Sequence, residues 1–178
     1  MIRRLLRGLR ARLRDEAGTA TVEFCIVFPV FMLVLCSMAE TGTLMMRQVM
    51  LDRGVDIAVR DLRINTWPTV TQDLLRTRIC NSVIALSDCN TSLVVEMTQI
   101  AKGASLPSAA APCVDRAASV TPSVTFVQGK ENQMMLVRAC ATFRPILPGV
   151  GLGLDLAKDR NGYYALTAVS AFVVEPQG

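Results

Sequence analysis

The stretch that decides the fold is Gly18–Met46, with the sequence GTATVEFCIVFPVFMLVLCSMAETGTLMM. Between Phe24 and Met46, a run of 23 residues, the only charged side chain is Glu40. As a helix this run would extend about 35 Å, which exceeds the roughly 30 Å of hydrocarbon in a bilayer. The stretch therefore predicts a transmembrane helix, in preference to a buried helix in the core of a soluble protein.

A carboxylate stands at the start of this apolar run. Glu23 directly precedes Phe24, and a charged side chain costs a few kcal/mol near the bilayer centre and less near its edge. Cutting the chain after Gly18 would create a partner, because the new α-amino group on Thr19 would be protonated at neutral pH. Glu23 would then lie about 6 Å along the helix from that amine. The alternative is an interfacial carboxylate that reaches out of the bilayer.

Residues 1–18 form a basic leader. They carry six arginines against two acidic residues, whereas residues 19–178 carry 13 basic and 13 acidic groups. The net charge of +4 therefore belongs to the leader, which argues against nucleic-acid binding by the rest of the chain. The positive-inside rule places the leader in the cytoplasm and the residues after the helix outside. A secretory signal is cut after its apolar run, whereas a cut after Gly18 would leave the helix attached.

The fold class predicted from these patterns is α+β. A long transmembrane helix over residues 19–46 continues as an amphipathic extension over residues 47–66 and joins a small exported domain over residues 67–178. That domain should hold one further helix and an antiparallel sheet of about four strands. The apolar face of the extension is assigned to Val49, Val55, Val59 and Leu62.

Local patterns place the elements of the exported domain. The second helix is predicted over Thr71–Leu86, with Thr71 as its N-cap. Glycine and proline in residues 145–161 predict a loop that includes a short helix at Leu154–Lys158. Alternating apolar residues predict three clear strands and one weaker strand, which are Ser92–Ile100, Gln133–Phe143, Tyr163–Glu175 and, more weakly, Val120–Gln128.

Two positions inside the span depart from the apolar pattern. Pro29 cannot donate a backbone hydrogen bond and is predicted to kink the helix. Glu40, near the far end of the span, is expected to face the boundary of the membrane on the side away from the leader. The alternative for Glu40 is a contact with an arginine, such as Arg47, of a neighbouring subunit.

The six cysteines fall into two groups. Cys25 and Cys36 lie in the membrane run and are interpreted as small apolar side chains. The other four lie in the exported part, where an oxidising compartment favours two disulfides. Three pairings are open, and we favour the one that lets the chain fold back just past the second helix. The favoured bonds are Cys80–Cys89 and Cys113–Cys140.

No catalytic, metal or cofactor site is predicted. The chain has no histidine, which removes the commonest metal ligand and general base. Intervals of 8, 23 and 26 residues between the four exported cysteines do not match a zinc site. Gly149, Gly151 and Gly153 form a GxGxG string, but Pro145 and Pro148 around it favour a loop over a dinucleotide site.

A calcium site was the remaining alternative for a metal. Asp155 and Asp159 stand on the same predicted loop. Two acidic residues on a short loop are usually solvated, and a calcium ion takes six to eight oxygen ligands. Both are therefore interpreted as solvated side chains.

Gly18, Glu23 and Phe24, with the apolar residues that run on to Ala39-Glu40, resemble the N-terminal segment of TadE-like and TadF-like pseudopilins. These proteins belong to the tight-adherence (Tad, Flp-type) pilus systems of bacteria. The family's processing motif is a glycine, the cut, and a glutamate five residues beyond, followed by an aromatic residue. Phenylalanine stands where the major Flp pilin usually has tyrosine. With the large exported domain, this favours a minor pseudopilin.

The resemblance implies a pathway and partners. A prepilin peptidase would cut Gly18–Thr19 on the cytoplasmic side of the bacterial inner membrane, and Glu23 would pair with the Thr19 amine of its own or a neighbouring subunit. The domain would lie in the periplasm. Implied partners are the inner membrane, other pilins or pseudopilins (a TadF-like or TadE-like partner and the Flp major pilin) and the Tad assembly platform. The competing hypothesis is an unprocessed, signal-anchored periplasmic binding module with no polymer role.

Overall fold

One long helix dominates the fold, in a computed structural model that describes residues 19–64, 67, 69–83, 88–101, 113 and 124–176. This helix, α1, covers Thr19–Arg63 without interruption. Its 45 residues extend about 68 Å at 1.5 Å per residue. The membrane-length run and the predicted extension are therefore a single helix, which ends three residues before the predicted boundary at residue 66.

The second half of α1 packs into the core of the domain. Its buried apolar residues are Leu51, Val55, Ala58, Val59 and Leu62. At about 100° per residue these positions fall on one face of the helix. The assignment of Val49 to this face was wrong, because Val49 is exposed. It lies two residues, or about 200°, before Leu51, and so points away from the sheet.

A three-stranded antiparallel sheet faces α1. The strands are β1 (Leu93–Gln99), β2 (Met134–Phe143) and β3 (Tyr164–Val173), in the order β1-β2-β3. The α+β class and the antiparallel sheet are confirmed, with one strand fewer than expected.

The predicted strand over Val120–Gln128 lies partly outside the described residues, which resume at residue 124. Its described part, residues 124–128, makes only an isolated parallel bridge in which Phe126 lies opposite Met97. The chain leaves the edge of β1 directly afterwards, where a Cβ on Gly129 would come within 2.9 Å of Val174. The backbone at Gly129 thus passes so close to Val174 that a side chain has no room there.

Two short helices connect α1 to the sheet. Helix α2 covers Gln72–Asn81, and the hydroxyl of Thr71 accepts the backbone N–H of Leu74 at 3.2 Å, which confirms the predicted N-cap. The predicted end at Leu86 was wrong. Helix α2 ends at Asn81, where Ser82 caps it and its hydroxyl donates back to the carbonyl of Arg78. Helix α3, Cys89–Ser92, leads directly into β1.

The core lies between the helices and one face of the sheet. Leu75 and Ile79 of α2 are fully buried there. The opposite face of the sheet carries a cross-strand ion pair, in which Arg138 donates to Glu96 at 3.0 Å. The sheet residues on the core face are Leu93, Val95, Met97, Met135, Val137, Ala139, Ala141, Phe143, Tyr164, Leu166, Ala168 and Phe172.

Two disulfides close this domain. Cys80 is bonded to Cys89 with the Cα atoms 5.7 Å apart, and Cys113 to Cys140 with the Cα atoms 5.6 Å apart. This is the pairing that we favoured from the sequence. The first bond fastens the end of α2 to α3, and the second joins residue 113 to the middle strand of the sheet.

Candidate functional site

The first half of α1 has almost no cover from the rest of the chain. Between Ala20 and Ala39 every side chain is exposed except Cys36 and Ser37, which are partly exposed. In the part of the chain that the structure describes, α1 is the one helix long and apolar enough to cross a bilayer. An exposed apolar surface of this size marks a site of interaction with lipid or with other proteins.

The predicted processing junction lies at the start of α1. Gly18 is outside the described residues, and Thr19 is the first residue of the helix. Glu23 is exposed one turn later. Among the residues described, none forms a hydrogen bond or ion pair with its carboxylate. The pairing of Glu23 with the Thr19 amine stays a prediction.

An aromatic pair follows the glutamate. Phe24 is exposed and stacks on Phe28 of the next turn, with ring centroids 4.8 Å apart. Both rings lie on the exposed surface of α1.

Pro29 lies within α1, and the helix is continuous through it. Proline has no backbone N–H, so the carbonyl of Cys25 lacks its usual donor four residues on. The predicted kink at Pro29, a change in the direction of the helix axis, stays a prediction.

Glu40 has a different environment from Glu23. It is only 1% exposed. Its carboxylate accepts the backbone N–H of Ile146 at 2.9 Å and that of Leu147 at 3.0 Å. Neither alternative that we considered from the sequence was right, since Glu40 is buried against its own chain and Arg47 is not its partner. The only sequence signal was the general need of a carboxylate in an apolar helix for donors.

Arg47 is also used within the chain. Its guanidinium donates to the hydroxyl of Tyr164 at 2.7 Å and to the carbonyl of Arg144 at 3.1 Å. It also lies 5.0 Å from the ring centroid of Phe143. These contacts fasten α1 to the end of β2 and the start of β3.

Residues Pro145–Leu156, which we call the membrane-proximal loop, cover Glu40. The loop contains helix α4 at Leu152–Asp155. The prediction placed this helix at Leu154–Lys158 and was wrong, because Leu156 is already extended. Lys158 instead folds back, and its ammonium donates to the carbonyls of Gly153 and Leu154.

Two glycines allow the membrane-proximal loop to approach α1 closely. Gly151 has a φ of +57°, and a Cβ there would collide with the hydroxyl of Ser37. A Cβ on Gly153 would collide with the carbonyl of Leu147. The hydroxyl of Ser37 also accepts the backbone N–H of Leu152 at 3.3 Å. The GxGxG string therefore serves a tight loop packed on a helix.

The described residues contain no group of three or more His, Cys, Asp and Glu side chains placed to hold a metal ion. Of the two aspartates considered for calcium, Asp159 accepts the backbone N–H groups of Asn161 and Tyr163, both at 2.8 Å. Asp155 is exposed at the end of α4. The carboxylate of Asp159 thus shapes the turn before β3.

Comparison with known proteins gives a match to the N-terminal part of the chain. Residues 18–60 match the family model of TadE-like proteins. The match begins at the predicted cleavage glycine and follows α1 into the domain, and most of the sheet domain lies beyond it. It confirms the resemblance to TadE-like proteins over these residues. No curated protein and no solved structure matches the chain significantly.

Proposed function

We propose that this chain is a minor pseudopilin, a structural and non-catalytic component in the assembly of a Tad/Flp-type pilus. A prepilin peptidase removes residues 1–18 by cutting after Gly18, and the mature protein begins at Thr19. The main support is the TadE-like match, which begins at Gly18 and thus at the residue that the charge pattern had marked as the end of the leader.

The placement of Glu23 supports an assembly role. Glu23 is exposed one helical turn from the new N-terminus, and so it is accessible to a second helix. Within lipid, a carboxylate gains most from a charged partner. A pair between Glu23 and the Thr19 amine of a neighbouring subunit would fix the axial register of the two helices, a role well attested for buried polar groups.

The two glutamates of α1 therefore have separate roles in this proposal. Glu40 is buried and bonded to its own chain, so it stabilises the fold of the protomer. Glu23 is left for contacts between protomers. Removal of Glu23 should abolish assembly without loss of stability, and removal of Glu40 should reduce stability first.

The proposed location follows from charge and disulfides. Six arginines in the leader and the neutral remainder favour a cytoplasmic N-terminus and a periplasmic domain at the bacterial inner membrane. Disulfides persist in the oxidising periplasm. The proposed partners are the prepilin peptidase, other pilins or pseudopilins and the Tad assembly platform.

N-terminal sequencing and intact mass of protein extracted from membranes test the cleavage. We expect the chain to begin at Thr19. Gly18→Leu should block the cut, because a glycine at this position lets the strand enter a narrow active site. Gly8→Leu, within the same leader, is the matched control and should leave processing intact. A native chain that retains Met1–Gly18 in cells with working pili would refute the proposal and favour the signal-anchored binding module.

Crosslinking in native membranes tests the assembly charge. Glu23→Ala should leave the protein in the membrane and abolish its crosslinks to other pilins. Asp52→Asn removes an exposed carboxylate further along the same helix and should leave the crosslinks unchanged. Crosslinks that persist at full yield in Glu23→Ala would show that Glu23 does not join protomers.

A further inference from the structure

The membrane-proximal loop exposes apolar side chains from Ile146 to Leu154, and its one charged side chain is Asp155 at the end of α4. Ile146 is 56% exposed, Val150 37% and Leu154 60%. Pro148 and Gly149 between them are also exposed. A surface loop of a domain surrounded by water is usually polar. An apolar loop with this exposure therefore needs something to cover it.

The position of the loop along the axis of α1 places it close to the proposed membrane. It contacts the helix at Ser37 and Glu40. Counted from Phe24, where the apolar run begins, a hydrocarbon layer of about 30 Å extends about 20 residues along the helix and so ends a few residues past Glu40. Ser37 is about 4.5 Å closer to the bilayer centre than Glu40. The loop thus lies at the outer edge of the hydrocarbon.

The polar backbone of the loop is largely satisfied from within the chain. Glu40 accepts two of its N–H groups and Ser37 accepts a third. Further N–H groups of the loop bond to its own carbonyls, and Lys158 covers the carbonyls of Gly153 and Leu154. Irregular backbone is tolerated at membrane depth only where it packs on protein, so the backbone of the loop must pack on α1 while its apolar side chains alone enter the hydrocarbon. The buried position of Glu40 meets this requirement.

A basic and aromatic rim surrounds the apolar tip. Arg144 and Arg160 are exposed on either side of the loop. The guanidinium of Arg144 lies 4.7 Å from the ring centroid of Tyr163. Tyrosine is enriched at membrane interfaces, and basic side chains near a bilayer surface are drawn to anionic headgroups.

We propose that the membrane-proximal loop is a second membrane-contacting element, which inserts Ile146, Val150 and Leu154 into the outer leaflet beside α1. Its occupant is lipid, with the acyl chains around the tip and anionic headgroups against Arg144 and Arg160. The inference rests on the proposed membrane span of α1 but not on cleavage or on the pilus role. The domain is thereby held against the bilayer at two points.

Depth-dependent fluorescence quenching tests this inference. The full chain with Trp67→Phe receives a single reporter by Val150→Trp, and is reconstituted into phosphatidylcholine–phosphatidylglycerol vesicles with bromine near the top of the acyl chains. We expect the emission to fall about two-fold or more and to shift to the blue, as for a side chain at the headgroup and acyl boundary.

Val173→Trp in the same background is the matched control. Val173 is 46% exposed and lies at the far end of β3, beside Arg60, which is about 30 Å along α1 from Glu40. Its emission should be unchanged by brominated lipid. Peptide mapping of both disulfides verifies the fold of each variant. Leu154→Trp replaces Val150→Trp if the latter does not fold.

Two outcomes would overturn the inference. Equal and weak quenching at positions 150 and 173 would place the loop in water. A blue shift without bromine quenching that disappears when the protein is diluted in lipid would mean that a second copy of the chain covers the loop. Retention of the leader does not affect this measurement, so failure of the proposed cleavage and failure of lipid contact remain distinguishable.

Discussion

The carboxylate of Glu40 accepts the backbone N–H of Leu147 at 3.0 Å and joins two residues that are 107 positions apart. The contact links the membrane-length part of α1 to the loop between β2 and β3. Hydrogen bonds to an ionised acceptor are stronger than those between neutral groups. Glu40 thus supports the fold at the boundary where the helix leaves the domain.

Replacement of Glu40 should destabilise the protomer in proportion to the acceptors lost. Glu40→Gln keeps one carbonyl acceptor and should cost about 2 kcal/mol, whereas Glu40→Leu leaves both N–H groups without an acceptor and should cost about 4 kcal/mol. Urea unfolding in detergent micelles measures both. Glu23→Gln removes an exposed carboxylate from the same helix and should stay within about 0.5 kcal/mol of the wild type. An unchanged midpoint for Glu40→Leu would contradict the assigned role.

Substitutions at Gly151 and Gly149 together test whether the membrane-proximal loop packs on α1. Gly151→Ala places a Cβ against Ser37 on a backbone with φ of +57°, and should cost about 2 to 4 kcal/mol from strain and collision. Gly149 has open space around its Cβ direction, so Gly149→Ala should be close to neutral. Thermal unfolding separates the two. Equal melting temperatures would mean that the loop does not pack on Ser37.

A second glycine pair tests the contact between α1 and α2. Gly54→Ala would place a Cβ 2.5 Å from a methyl group of Val83 and 3.1 Å from one of Ile79. The overpacking should outweigh the gain in helix propensity and cost about 1 kcal/mol net. Gly42 on the same helix has nothing within 4 Å, so Gly42→Ala should gain up to about 1 kcal/mol. Denaturant midpoints that rise for both variants would contradict the close packing at Gly54.

The Cys80–Cys89 bond should contribute about 3 kcal/mol through closure of a short loop. Cys80→Ser combined with Cys89→Ser should lower the free energy of unfolding by that amount without reductant. The difference in the free energy of unfolding between the variant and the wild type should shrink when both proteins are reduced. Non-reducing peptide mapping checks the pairing itself. A Cys80–Cys113 or Cys80–Cys140 peptide would contradict it.

The sequence predicts those features that arise from local pattern. The apolar run before Arg47, the N-cap at Thr71 and the alternation in β3 each depend on residues within one element, and all three are present. The ends of helices do not follow from such a pattern. Helix α2 ends at Asn81, and α4 begins two residues early, because caps and glycine backbone angles decide these boundaries.

Contacts between distant segments could not be predicted in this way. The partners of Glu40 are backbone groups, which every residue has and which therefore leave no mark in the sequence. The same holds for the carbonyl of Arg144 that Arg47 binds. The isolated bridge between Phe126 and Met97 is also a contact between distant segments that the local pattern does not specify.

The unbroken course of α1 has a mechanical consequence. In the proposed function the first half of this helix anchors the chain in the membrane, and from Leu51 to Leu62 the same helix is one wall of the folded domain. Without a hinge between these parts, the domain cannot swivel about the membrane normal on its own. One inserted residue between Glu40 and Leu51 would turn it by about 100°. In the proposed assembly, the subunits that pack around the membrane-spanning part of α1 would therefore set the rotational orientation of the domain, and a rotation of that part would be transmitted directly to the sheet.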